Sequence, residues 1–218
     1  VSVHMSEDSE TQEIEEVVEE PIEVVEKPIA GIGTLVFGKW DASEVVCDDP
    51  GIATYINLNT LGTPHSGGKH TNKRFGKHNL SVIERFINNL MRTGKYTGKK
   101  IGATKAFRLA LEELNSKTKT NPLQVFVDAI TNSAQREEVT RIKFGAVSQP
   151  KAVDTAPSRR LDTALRNLAK GAAQGTRKSK RTLTSCIVTE ISKASQADPT
   201  SFAVSKKEEV ERIAASAR

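Results

Sequence analysis

Aromatic side chains make up only 5% of this 218-residue chain, and cysteine occurs twice. So thin an aromatic content limits the core to a modest one built from Leu, Ile, Val and Ala. Cys47 and Cys186 stand far apart and in no metal-ligand spacing. Neither a zinc site nor a disulfide framework can be read from them, and unpaired thiols in a reducing compartment are expected. No apolar run approaches the roughly 20 residues of a membrane-spanning helix, so no membrane partner is expected. The acidic beginning lacks the basic-then-apolar order of a signal peptide and the Arg-rich character of a transit peptide, which points to cytosol or nucleus.

Catalytic signatures are missing too. The chain has no phosphate-binding Gly-x-x-x-x-Gly-Lys-Ser/Thr, no dinucleotide fingerprint and no Gly-x-Ser-x-Gly elbow. Gly31 and Gly33 form a lone Gly-x-Gly that coincidence explains. His65, His70 and His78 have no clustered carboxylate or cysteine beside them, so phosphate contact or a plain polar role fits better than catalysis or ligation. Trp40 and Tyr55 read as packing residues. The expectation is no enzyme, no metal and no cofactor.

What the chain does have is segregated charge. Residues 1–27 carry ten acids and one base, a net −9, which leaves +14 on the other 191 residues of a chain at +5 overall. The acidic stretch has too little apolar content to offset the entropy of ordering and reads as a disordered tail. Residues 28–78 read as an irregular arm, with one short helix or strand among its Gly, Asp and Pro breaks, ending in a basic loop. That loop, residues 62–78, holds four glycines and four fixed positive charges without one acid.

Residues 79–218 read as a helical domain. Leu80, Ile83, Ile87 and Leu90 recur at helical spacing up to Gly94, and Ala103 to Leu114 repeat the pattern. Asn121 with Pro122 opens a third helix as cap and first turn. Val139–Phe144 and Lys151–Val153, flanking Gly145, suggest a two-stranded ribbon at about 138–154 that is marginal alone. Two further helices follow around Leu161–Ala172 and Leu183–Ile191, with Gly171 and Gly175 as punctuation between them. A last helix is expected from Ser205, with Glu208 closing a capping box. The fold class is mainly α: about six helices with a protruding two-stranded β-ribbon.

Positive charge falls in two blocks. Residues 67–108 hold eleven Lys or Arg against Glu84, and residues 141–181 hold eleven against Asp154 and Asp162. Fields of one sign on this scale call for a polyanion. Arg159 and Arg160 follow Pro157 at the head of a helix, and Arg177, Lys178, Lys180 and Arg181 precede another, where backbone N–H groups add to the side chains. These residues leave two rivals open, a DNA-architectural protein and an RNA-processing enzyme.

The run Pro64-His65-Ser66-Gly67-Gly68-Lys69, then Lys73-Arg74-Phe75 and Val82-Ile83-Glu84-Arg85, resembles a universal small-subunit ribosomal protein family, numbered seven in bacteria and five in older eukaryotic naming. Asn121-Pro122-Leu123-Gln124-Val125, Arg136-Glu137, Thr140-Arg141-Ile142, Ala152-Val153-Asp154 and Arg159-Arg160 extend the likeness over about residues 35–218. Phe37-Gly38-Lys39-Trp40 and the C-terminal Lys206-to-Arg212 run lean to its eukaryotic branch. At the ribbon, Lys143-Phe144 and Gln149-Pro150-Lys151 depart from it.

The resemblance implies a helical protein of the small subunit's head that binds the 3′ major domain of rRNA and aids its assembly. It further implies neighbouring head proteins as partners, a ribbon reaching toward exit-site tRNA and mRNA, and a place in cytosolic ribosomes after nucleolar assembly. No homo-oligomer is expected. The residues expected at rRNA are Lys69, Lys73, Arg74, Lys77, Arg85, Arg92, Lys99, Lys100, Arg136, Arg141, Arg159, Arg160, Arg177, Lys178, Lys180 and Arg181. Lys143, Phe144, Gln149 and Lys151 are expected near tRNA and mRNA.

Overall fold

The structure, a computed structural model, describes residues 35–58, 63–145 and 147–218. The acidic stretch expected as a disordered tail at 1–27, the arm's beginning with Gly31 and Gly33, residues 59–62 and the ribbon's tip residue 146 lie outside the described residues.

The arm lies against the helices it precedes. Asp49 caps a short helix α1 (Pro50–Ala53) by accepting from the Gly51 N–H at 2.9 Å, which decides the helix-or-strand alternative for helix. Its course is pinned by Lys39 on Glu112 at 2.6 Å and by a two-way bond between the Val46 backbone and the Gln124 amide, both 2.9 Å.

Helix α2 (Val82–Leu90) buries Ile83, Phe86, Ile87 and Leu90, the spacing that marked it in the sequence. It ends at Leu90, ahead of Gly94, because the Thr93 hydroxyl bonds the Leu90 carbonyl at 2.9 Å. Helix α3 (Lys100–Thr118) buries Phe107, Leu111 and Leu114, and α4 (Pro122–Ser133) starts at Asn121, whose side chain accepts from the Leu123 N–H at 3.1 Å. The scarce aromatics meet where these helices converge: Phe86, Phe107 and Phe126 have ring centroids 5.2–5.3 Å apart. Such pairs add roughly 0.5–1.5 kcal/mol each beyond the area they bury.

Strands β1 (Glu137–Phe144) and β2 (Val147–Asp154) pair antiparallel in register from Glu137 opposite Asp154 to Phe144 opposite Val147. Pro150 is tolerated because each strand of a two-stranded ribbon is an edge. Val139, Ile142, Ala152 and Val153 are half-buried, whereas Val147 to Lys151 are exposed.

Helices α5 (Pro157–Gly175), α6 (Leu183–Ser195) and α7 (Phe202–Ser216) complete seven α-helices among the described residues. Two expectations are corrected here. Gly171 does not punctuate; it lies inside α5, where a Cβ would stand 2.7 Å from Glu190 Oε1 and 2.9 Å from Phe202 Cβ, so its bareness lets three helices close up. Helix α7 begins before Ser205, because buried Ser201 caps it by accepting from the Val204 N–H while donating to Glu190 at 2.8 Å. The Ser205–Glu208 pair falls inside the helix instead.

Two helical glycines, Gly171 and Gly102, give a test by contrast. Gly171→Ala is expected to lower unfolding free energy by about 1–3 kcal/mol through overpacking. Gly102→Ala in α3, where nothing lies within 4 Å of the added carbon, is expected to raise it by up to about 1 kcal/mol on helix propensity. Urea unfolding of both variants checks the pair; equal effects would contradict the close approach at Gly171.

Candidate nucleic-acid interface

Two adjacent charged residues of α2 are buried and point opposite ways. Glu84, 2% exposed, accepts from the Ser66 N–H at 2.9 Å, the Ser66 hydroxyl at 3.1 Å and Lys100 Nζ at 2.8 Å. Arg85, 6% exposed, donates from Nη2 to Asp162 on α5 at 2.6 Å, and Lys77 pairs with the same carboxylate. The basic loop is thereby clamped between α2 and α5, with His78 Nε2 at 2.8 Å from the Ser158 hydroxyl as a further tie.

Burial works to raise both carboxyls. Lys100 and Ser66 outweigh it at Glu84, as Lys77 and Arg85 do at Asp162, so both sit below the ordinary carboxylate range. At Asp49 the Arg160 hydrogen bond has the same effect. His78 is held below its usual value by burial and by the nearby Arg85 and Lys77 charges, so the ring favours its neutral form.

The cations expected at rRNA therefore divide into two sets. Lys77, Arg85, Lys100, Arg159 and Arg160 are engaged within the chain: Arg159 meets Glu138 at 2.8 Å, and Arg160, with its side chain 11% exposed, meets Asp49 at 2.5 Å. Of these, Arg85 and Arg160 are too enclosed to reach a phosphate without giving up a structural partner.

Lys69, Lys73, Arg74, Arg92, Lys99, Arg136, Arg141, Arg177, Lys178, Lys180 and Arg181 are exposed and make no ion pair among the described residues. Arg136 borders a polar pocket with Arg160, Lys207 and Glu211. Arg141 shares a ribbon face with Lys143, while Gln149, Lys151 and the backbone position of Phe144 belong to the other, by the alternation of the register.

The fold joins the two basic blocks. The Tyr96 hydroxyl donates to the Thr176 hydroxyl at 3.1 Å, setting the Arg92–Lys99 segment beside Arg177 to Arg181 at the end of α5. Near the start of α5, Asp162 and His78 hold the loop bearing Lys69, Lys73 and Arg74. Exposed Arg166 stands one turn beyond Asp162. The head of α6 contributes less than the sequence suggested, since the Thr182 hydroxyl already accepts from the Ser185 N–H at 3.2 Å.

Phe75 is not among the residues expected at RNA, yet the structure presents it. It is 61% exposed, takes a left-handed φ of 58°, stacks on His78 at 5.5 Å and has the Arg74 guanidinium 5.1 Å from its ring. An aromatic inside an acid-free, glycine-rich basic loop was the available signal, because exposed rings among cations offer stacking to unpaired bases.

A helical body with outward cations joined across two sequence blocks has the kind of surface a polyanion-binding protein presents. The family profile described as Ribosomal protein S7p/S5e matches residues 60–218. The small ribosomal subunit protein uS7 of Picrophilus torridus is 52% identical over 184 residues, 84% of this chain and 98% of that protein. Those of Archaeoglobus fulgidus and Thermoplasma volcanium are 52% and 48% identical over the same length, covering 95% and 100% of their own chains. The chain belongs to the ribosomal protein S7p/S5e family, and is a structural, non-enzymatic ribosomal protein.

The clamp carries a pH signature. Because Glu84 and Asp162 are held low, the stability they contribute is present above the unfolded carboxylate value of about 4 and is lost as pH falls through the lower folded values. The carboxylate contribution to the thermal midpoint is expected to be level from neutral pH to about 5 and to fall below about 4, while His78, held low, adds a separate decline as pH drops below about 6.5. Asp162→Asn should lower the midpoint at neutral pH and lessen the acid-induced fall; a variant as acid-sensitive as its parent would contradict the assignment.

Proposed function

We propose that this protein is a constituent of the small ribosomal subunit that binds rRNA of the 3′ major (head) domain and aids head assembly. Its outward cations neutralise phosphates while the buried ion pairs keep them in place. The Tyr96–Thr176 bond carries the reading, because it makes one surface from two basic blocks some eighty residues apart in sequence. Phe75 adds a stacking platform at one end of that surface.

On this reading the distal ribbon, with Lys143, Phe144, Gln149 and Lys151, reaches toward exit-site tRNA and mRNA, and its outer half needs no packing inside the chain. Neighbouring head proteins are further partners, and the setting is a cytosolic ribosome. The relatives reported above are archaeal and lend the nucleolar expectation no support.

Binding to an rRNA fragment should fall steeply with salt. Six phosphate contacts correspond to a slope of about −4 to −5 in log affinity per log salt, and a slope near zero would remove the electrostatic account. Arg177→Glu with Lys178→Glu and Arg181→Glu should weaken binding at unchanged thermal midpoint, whereas Arg160→Glu should lower the midpoint, because Asp49 loses its partner.

Deleting residues 143–150 should leave incorporation into small subunits intact and impair exit-site tRNA binding or reading accuracy. Co-sedimentation of the deleted protein with small subunits is the check, and its exclusion would place the ribbon in the anchoring machinery.

A further inference from the structure

The described chain opens beside α3. Phe37 lies 6.4 Å from Phe107, Lys39 holds Glu112, and Leu35 is exposed. There α3 turns outward a face that no other element covers among the described residues: Ile101 is 88% exposed, and Lys105, Leu109 and Arg108, the last 3.8 Å from Glu112, follow at helical spacing. Val36 and Phe37 also border a cleft whose lining includes Lys69 and Lys73. A surface mixing bare apolar side chains with cations suits a ligand that mixes apolar side chains with acids.

The chain carries such a ligand. Glu13-Ile14-Glu15-Glu16-Val17-Val18-Glu19-Glu20 alternates acids with apolar residues, and Ile22-Glu23-Val24-Val25-Glu26 continues the pattern. The archaeal relatives match 184 of the 218 residues at 95–100% of their own lengths, and the family match reaches residue 218. The acidic stretch lies outside the family match, which begins at residue 60. From Leu35 back to Glu20 an extended chain spans up to about 50 Å, while Ile101 to Leu109 covers only about 12 Å of helix.

We propose that residues 13–26 dock on the outer face of α3, around Ile101, Lys105, Arg108 and Leu109, and cover adjacent cations of the free protein until RNA displaces them. Only the competition with RNA rests on the function proposed above; the docking itself does not.

The test uses a peptide of residues 10–30, the full chain, and a chain lacking residues 1–34, which keeps every described residue. The peptide should bind the shortened chain with Kd below about 1 mM, since a short tether supplies millimolar effective concentration. That binding should vanish in high salt and in Ile101→Asp with Lys105→Glu. A 20-residue oligouridine should bind the shortened chain about tenfold more tightly than the full chain at low salt, the gap closing as salt rises.

No peptide binding at millimolar concentration, or binding indifferent to the Ile101 and Lys105 changes, overturns the docking whatever the RNA result. Peptide binding with equal RNA affinities overturns the competition. If neither chain bound RNA, the proposed function would fail while the peptide measurement still judged the docking.

Discussion

The buried Arg85 guanidinium is the constraint on which the rest depends. A charge taken this far out of water must be met by a partner, and removing one side of such a pair costs roughly 3–5 kcal/mol. Asp162 meets it, which fixes α2 against α5, and the same carboxylate takes Lys77. One residue earlier, Glu84 draws Ser66 and Lys100 inward. A glycine-rich loop with no apolar anchor of its own is thus held by the Ser66 hydrogen bonds to Glu84 at one end and the Lys77–Asp162 ion pair at the other, and the loop's remaining cations are left facing outward.

This division of labour explains how a chain can carry +14 on its body without being torn by its own field. Some cations are neutralised from within and set geometry. Others are left bare, and on the function proposed above they gain free energy when a polyanion arrives. Arg160 shows the first role, bonded to Asp49 across the arm; Arg177 to Arg181 show the second. The ribbon takes part in both, since Glu138 holds Arg159 at 2.8 Å while Arg141 is bare, and it is rooted on α7 by the Glu211 carboxylate, which accepts from the Arg136 N–H at 2.9 Å.

Local signals were legible in the sequence and distant ones were not. Asn121-Pro122 announced α4 because cap and first-turn chemistry are local, and the ribbon showed in the loss of helical period around Gly145. The role of Arg85 was hidden, since its partner lies 77 residues on, and that of Arg160 lay with an aspartate 111 residues back. Both were read as RNA contacts because charge counting cannot tell a buried cation from a bare one. Gly171 and Ser205 misled for a related reason: Gly171, and the actual cap Ser201, each answer to Glu190, a partner from another helix. The motif likeness supplied the ribosome, which periodicity and charge alone would have left as an unnamed polyanion.

On the function proposed above only the bare cations meet RNA, and lysine acetylation footprinting with and without bound rRNA fragment reads that directly. Lys69, Lys73, Lys99, Lys178 and Lys180 should react readily in the free protein and be protected in the complex, while Lys100, tied to buried Glu84, should react slowly in both. Strong protection at Lys100, with Lys178 and Lys180 still reactive in the complex, would contradict the account.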